Sequence, residues 1–123
     1  MRIPFLAAAA AILLTACSAP SESGSFDRSL NTQTAGVAVA ASFAKLCGGK
    51  RIDAFENSYV RFVKSQRPLT AEAEAQVRDV FTRADAGVAA RFDDAARAKQ
   101  CADYPLNQAA IDRGIAGDFT GLI

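Results

Sequence analysis

The residues of this 123-residue chain that are best suited to chemistry are its three cysteines, Cys17, Cys47 and Cys101. A cysteine can act as a nucleophile, form a disulfide, bind a metal or carry an attached group. The chain contains no histidine, so it lacks the commonest general base, the base of Ser-His and Cys-His nucleophile pairs, and a frequent zinc ligand. Cys47 and Cys101 are too far apart for a Cys-x-x-Cys redox motif. Attachment and disulfide formation are therefore the chemistry that these cysteines favour.

Cys17 follows an apolar segment at the N-terminus. Met1-Arg2 supplies one positive charge, and the 12 residues 3–14 carry none. As a helix this segment would be about 18 Å long, too short for a hydrocarbon core of about 30 Å. A short positive start, a short apolar run and small residues before a boundary are typical of a secretory signal peptide.

The boundary Leu14-Thr15-Ala16-Cys17 resembles the lipobox of bacterial lipoproteins. The resemblance implies that residues 1–16 are removed and that Cys17 carries acyl chains, two or more of which hold a protein on a membrane stably. Ser18 resembles the sorting signal of outer-membrane lipoproteins, so the resemblance places the domain in the cell envelope, facing the periplasm. The alternative is an ordinary signal peptide in which Cys17 is incidental.

The predicted mature chain is small and electrically balanced. Removal of residues 1–16 from the 123 leaves 107, and the loss of Arg2 reduces the 14 basic residues to 13, equal to the 13 acidic ones. We therefore expect no nucleic-acid partner, and a single domain with a modest core. In an exported chain, the remaining pair Cys47 and Cys101 is expected to form a disulfide, with two free buried thiols as the alternative.

Apolar residues at helical spacing predict an all-α domain, a small three- to four-helix bundle over residues 34–123, after a flexible tether over residues 17–33. The spacing of four between Phe26 and Leu30 leaves open a start of the first helix inside the tether. A first helix is expected from about residue 34 to 47, with an inner face of Val39, Phe43, Leu46 and Cys47. A second helix over residues 51–66 is expected to bury Ile52, Phe55, Tyr59, Phe62 and Val63, and to end before Pro68.

A third helix is predicted to start after the N-cap Thr70 and to carry an apolar stripe that extends to Ala95. It could run to about Cys101. Short loops place Cys47 and Cys101 at the same end of the bundle, yet a straight helix of about 30 residues would overshoot Cys47 by about 20 Å. A bend at Gly87, a helix end near Ala96 or a steep crossing would remove the excess, and the sequence leaves these three possibilities open.

The C-terminal part is predicted to contain a short helix over residues 107–113, stopped by Gly114. Three apolar residues near the end are expected to dock on the core: Phe119, Leu122 and Ile123. Tyr104 lies in the distinctive stretch "CADYPLN". It is either exposed for a partner or packed over the disulfide end of the bundle, and the pattern favours the second interpretation.

The residues favour a binding function over catalysis. The adjacent acidic pair Asp93-Asp94 would point about 100° apart on a helix, and we expect no metal or cofactor. We predict a non-enzymatic cell-envelope lipoprotein, held to the membrane by acyl chains on Cys17, that presents its helical domain to an envelope protein partner. One alternative is a periplasmic inhibitor or immunity-type protein that caps a toxin or hydrolase. A third is a carboxylate-based cell-wall hydrolase, which needs two carboxylates about 5–10 Å apart across a cleft.

Overall fold

The computed structural model describes residues 24–123. The predicted signal peptide, Cys17 and the first part of the predicted tether lie outside the described residues. Within residues 24–123 the chain forms helices and no strand, which confirms the all-α prediction. No helix in this range combines the length and apolar character that a membrane span needs. The helices are α1 (Arg28–Leu46), α2 (Ile52–Gln66), α3 (Ala71–Arg91), α4 (Asp94–Asp103) and α5 (Gln108–Ile115).

α1 and α3 lie side by side and run in the same direction. At one end, the Thr70 N–H before α3 donates to the carbonyl of Gly24 before α1, over 3.0 Å. At the other end, the Ser42 hydroxyl of α1 donates to the Asp85 carboxylate of α3 over 2.6 Å. α2 returns between these ends, antiparallel to both, as the short loops predict. We call the end at Gly24 and Thr70 the entry end, and the end at the last turns of α1 and α3 the far end.

α1 begins before its predicted start at residue 34. Asp27 is the N-cap, and its Oδ1 accepts the N–H of Leu30 over 2.8 Å, so the folded domain includes residues assigned to the tether. The inner face also differs, because Val39 is 43% exposed. Alanine contributes little to the periodicity that identifies a face, so the pattern predicts a face rotated from the observed one. The buried residues of α1 are mostly small: Leu30, Thr34, Val37, Ala38, Ala41, Ser42 and Ala44.

α2 matches its prediction. The five residues predicted to face inwards are all buried or half-buried. The helix ends at Gln66, and Arg67 is extended, with φ −161° and ψ 156°. Pro68 explains this end, because a proline disfavours the helical conformation of the residue before it.

The predicted third helix is divided into α3 and α4. α3 starts as predicted, since the Thr70 side chain accepts an N–H of the first turn over 3.1 Å, but it ends at Arg91. Asp93 then caps α4, because its Oδ1 accepts an N–H of that helix over 2.8 Å. Gly87 lies inside α3. Of the three possibilities that the sequence left open, an early helix end is the one observed, at Arg91 and so before Ala96, and the helix is not broken at Gly87.

The break allows the predicted disulfide to form. Cys101 of α4 is bonded to Cys47 at the end of α1, with their Cα atoms 5.5 Å apart. Phe92, between α3 and α4, packs edge-to-face on Phe43 of α1, with ring centroids 5.6 Å apart. The predicted apolar stripe ends here, since Ala95 is exposed and α4 buries none of its residues. The other four helices form the bundle around the core.

α5 packs against α2 through Gly114. This glycine was predicted to stop the helix, but α5 continues past it. A Cβ at Gly114 would lie 2.3 Å from a ring carbon of Phe55, so the absence of a side chain allows the two helices to approach closely. The Ser58 hydroxyl donates to the Gly114 carbonyl over 2.6 Å. The left-handed turn after α5 is made instead by Gly117, with φ 95°.

The C-terminal residues complete an aromatic core. Phe119 is 3% exposed and Leu122 packs against the core, which confirms the predicted docking of both. Ile123 is 59% exposed, so the prediction is wrong for this residue, which follows the turn that Leu122 closes by donating its N–H to the Phe119 carbonyl. The Phe119 ring centroid lies 5.4, 5.5 and 5.1 Å from those of Phe55, Tyr59 and Phe62.

Candidate partner-binding groove

A groove lies at the far end of the bundle, beside the disulfide. One wall is α1, and the other is the end of α4 with the segment 104–107 that leads into α5. Its volume is about 360 Å³, and none of its twelve lining residues carries a charged side chain. Apolar residues dominate this lining. They include Ala40, Phe43 and Ala44 of α1, and Leu106, Ile111 and Leu122 from the C-terminal part of the chain.

Local sequence positions the second wall. Pro105 disfavours helix at the preceding residue, so α4 ends and segment 104–107 begins. The Asn107 side chain caps α5 by accepting an N–H of its first turn over 3.1 Å. Gln108 joins this point to the loop after α1: its Nε2 donates to the Lys50 carbonyl over 3.0 Å, and its Oε1 accepts the Lys50 N–H over 2.8 Å. The wall is therefore held at one end by the disulfide and at the other by Gln108.

Tyr104 stands at the rim of this groove, 70% exposed. It is not packed over the disulfide end, which was the interpretation that the sequence favoured, and the exposed alternative describes it. Tyrosine is enriched at binding hot spots, because its ring offers a large amphipathic surface at a small cost in conformational entropy. An exposed tyrosine beside an uncharged apolar groove is suited to contact an apolar segment of another protein.

Several carboxylates lie on the surface in ion pairs. The Arg78 guanidinium lies 2.9 Å from a carboxylate oxygen of Glu56 and 3.6 Å from one of Glu74, and Lys64 also contacts Glu74. The hydrogen bond from Lys64 is the main reason why the pKa of Glu74 is lowered. A glycosidase proton donor needs a raised pKa, so this carboxylate has the opposite property.

The adjacent acids Asp93 and Asp94 do not form a catalytic pair. Asp93 caps α4, whereas Asp94 pairs with Arg97 over 3.2 Å. Each of five surface grooves within residues 24–123 is lined by at most one acidic side chain. The same part of the chain contains no group of three potential metal ligands. The paired carboxylates of the hydrolase alternative are thus not found in these grooves, and the absence of catalysis stays a prediction.

The buried and hydrogen-bonded hydroxyl of Tyr59 indicates a structural role for this residue. Its hydroxyl lies 2.9 Å from the Thr34 hydroxyl and accepts a hydrogen bond from Gln33 over 3.2 Å. Burial raises the pKa of the Tyr59 hydroxyl, so the group is neutral at physiological pH. Every buried side-chain nitrogen or oxygen of the described residues has a hydrogen-bond partner. The core therefore offers no unsatisfied polar group that would indicate a bound ligand.

The structure brings Tyr104 and the disulfide to one site, since Cys47 lines the groove that Tyr104 borders. The sequence indicated these residues separately but not the groove between them. Pro105 was the available signal, because it requires α4 to end before α5 and so leaves an extended segment next to the disulfide. Cys17 lies outside the described residues.

No family model, curated protein or solved structure matches this chain.

Proposed function

We propose that this chain is a lipid-anchored protein of the bacterial cell envelope, and that its helical domain binds a protein partner at the groove. The anchor is supported by the resemblance of Leu14-Thr15-Ala16-Cys17 to a lipobox. The main support for the binding site is that Tyr104 is 70% exposed at the rim of an uncharged groove.

The character of the groove favours a protein partner. Nucleic acid is bound through clusters of basic side chains, whereas the lining of this groove has no charged side chain. Its volume of about 360 Å³ is near the lower end of small-molecule pockets, which is about 300 Å³. An apolar groove bordered by an exposed tyrosine instead resembles the centre of a protein interface, where aromatic residues are enriched and charges are depleted.

The position of the groove fits an anchored protein. The described chain starts at the entry end, where buried Gly24 is hydrogen-bonded to Thr70. The groove lies at the far end, and the 19 residues of α1 separate the two ends by about 28 Å. Seven residue steps lead from Cys17 to Gly24, and fully extended they reach about 25 Å. A domain tethered through its entry end can therefore present the groove away from the membrane.

Fatty-acid labelling tests the anchor. Cells that express the full chain are grown with an alkyne fatty acid, and the purified protein is examined for label. The unchanged chain and the Cys47→Ser/Cys101→Ser double variant should both be labelled, whereas Cys17→Ser should not. Label on Cys17→Ser would show that the acyl chains, if any, are attached elsewhere and would contradict the lipobox assignment.

Site-specific crosslinking tests the partner site. A photo-reactive phenylalanine analogue replaces Tyr104 in the anchored protein, and a matched variant carries it at Arg83, an exposed position of α3 whose side chain is 69% exposed. After irradiation of intact cells, position 104 should give a discrete protein adduct that position 83 does not. Identical adducts from both positions, or none from position 104, would contradict binding at the groove.

A further inference from the structure

α4 is weakly attached to the rest of the domain. It buries none of its residues, and the hydrophobic core includes no residue between Ala84 and Leu106. The ion pairs of α4 join residues within the helix itself, Arg97 with Asp94 and Lys99 with Asp103. Apart from the backbone itself, the only covalent bond, hydrogen bond or ion pair within residues 24–123 that joins α4 to another helix is its disulfide to α1.

The helical state of α4 also depends on this attachment. α4 has ten residues, and isolated helices shorter than about 12 residues are marginal in water. Ion pairs three or four residues apart add only a few tenths of a kcal/mol each in isolated helices, and less when they are exposed and screened by salt. Neither packing by the residues of α4 nor its local pairs therefore hold the helix in place. Between Phe92, which packs on Phe43, and Leu106, which packs against the core, the disulfide is the attachment that remains.

The disulfide is placed where a reductant can reach it. Both Cys47 and Cys101 are half-buried, and Cys47 lines the open groove. Gln100 and Tyr104, which line the second wall at the end of α4, lie one residue before and three residues after Cys101. Loss of the bond would therefore release this part of the wall from Phe43 and its neighbours on α1, while Gln108 still holds the other end.

We propose that α4 is a flap held closed by the Cys47–Cys101 disulfide, and that reduction by an envelope dithiol opens the groove while the core stays folded. A thiolate of the dithiol attacks one sulfur of the disulfide, so that a mixed disulfide forms and the other cysteine leaves as a thiolate, which takes up a proton. The second thiol of the reductant then attacks the mixed disulfide. The dithiol is oxidised to a disulfide, and its two electrons and two protons end on the two cysteine thiols.

The hydrophobic core is held together without any contribution from α4. Its residues come from α1, α2, α3 and α5 with Phe119, and none of these elements is held through α4. The Gln108–Lys50 hydrogen bonds attach the start of α5 to the loop after α1. Opening of the flap therefore removes no core side chain, and the switch depends neither on the lipid anchor nor on a partner.

Hydrogen exchange of the full chain in detergent tests this flap. Exchange is compared before and after dithiothreitol treatment, with alkylation used to verify that Cys47 and Cys101 are reduced. After reduction the amides of α4 should exchange at rates close to those of an unfolded peptide, whereas those of α2 and α5 should remain protected and exchange faster only by the factor that the lower free energy of unfolding accounts for. The Cys47→Ser/Cys101→Ser variant should show the same pattern without reductant.

Limited proteolysis gives a second measurement. Trypsin should cleave after Arg97 and Lys99, both in α4, at least tenfold faster in the reduced protein, while Arg83 in α3 remains resistant relative to these two sites. Retained protection of α4 in the verified dithiol form would overturn the proposal. Exchange of α2 and α5 at the same rate as α4 in the reduced protein would also overturn it, because the disulfide would then support the whole fold.

Discussion

Replacement of Gly114 by alanine should destabilise the domain, although it places a better helix former inside a helix. An alanine Cβ would lie 2.3 and 2.6 Å from two ring carbons of Phe55 and 3.1 Å from a ring carbon of Phe119. Carbon atoms in favourable contact are about 3.5–4.0 Å apart, so the Phe55 ring or α5 would have to move by more than about 1 Å. Phe55 is fully buried and packs edge-on to Phe119 with ring centroids 5.4 Å apart, so neighbouring side chains resist this movement.

The magnitude follows from two opposing terms. Alanine is favoured over glycine in a helix interior by about 1 kcal/mol. Overpacking of a buried site costs about 1–3 kcal/mol, and an overlap of this size belongs at the upper end. Displacement of α5 would also strain the Ser58–Gly114 hydrogen bond of 2.6 Å. We therefore expect the free energy of unfolding to fall by about 2 kcal/mol, and Tm by about 10 °C in a domain of this size.

The matched control is Gly87→Ala in α3. Gly87 is also inside a helix, but it is exposed and an added Cβ would meet no atom within 4 Å. Only the propensity term then applies, so the free energy of unfolding should rise by about 0.5–1 kcal/mol. Urea unfolding followed by circular dichroism measures both variants at an unchanged m value. If Gly114→Ala proved as stabilising as Gly87→Ala, the close approach of α2 and α5 would be refuted.

Three further substitutions test other contacts. Tyr59→Phe leaves the buried Thr34 hydroxyl without its partner, so the free energy of unfolding should fall by about 1–3 kcal/mol in urea unfolding, and an unchanged midpoint would contradict this. The pKa of Asp27 is lowered mainly by the backbone N–H that it caps. The ionised side chain therefore contributes to stability above about pH 4, and this contribution is lost as the pH falls further. Asp27→Asn keeps a cap but does not titrate, so its Tm should fall less in acid than that of the unchanged chain. Replacement of Cys47 and Cys101 by serine should lower the free energy of unfolding by about 2–4 kcal/mol for a sequence separation of 54. Reduction of the unchanged chain with dithiothreitol should lower Tm by a similar amount, and a Tm that falls only in the serine variant would argue against loss of the bond as the cause.

α2 and the start of α3 were predictable because large apolar side chains occur there together with clear helix-terminating and helix-capping residues. The aromatic residues of α2 recur at a spacing of three or four, and Pro68 limits the end of the helix. Thr70 then caps the next helix. α1 lacks the first of these signals. Its buried face consists largely of alanine and hydroxyl side chains, so the larger Val39 suggests a face that in fact is partly exposed.

The groove could be predicted only in part, because it depends on where two helices end. The disulfide was predicted from the expected compartment and the topology, and Tyr104 was recognised as a distinctive residue. Whether that tyrosine is buried depends on the direction of α4, which no local pattern specifies. Gly114 shows the same limitation, since a glycine near a helix end indicates a stop, and only the ring of Phe55 reveals that it serves close packing.

The break between α3 and α4 can nevertheless be derived from the lengths of the helices. α1 and α3 are parallel and start level with one another, because Gly24 is bonded to Thr70. α1 has 19 residues, so α3 reaches the level of Cys47 after about the same number, near residue 90. Continuation would carry Cys101 away from its partner, and a capping side chain favours the start of a new helix. The first Ser, Thr, Asp or Asn after residue 90 is Asp93, which is the residue that caps α4. The disulfide, together with the observed length and register of α1, therefore accounts for the position of a helix break that hydrophobic periodicity alone does not indicate.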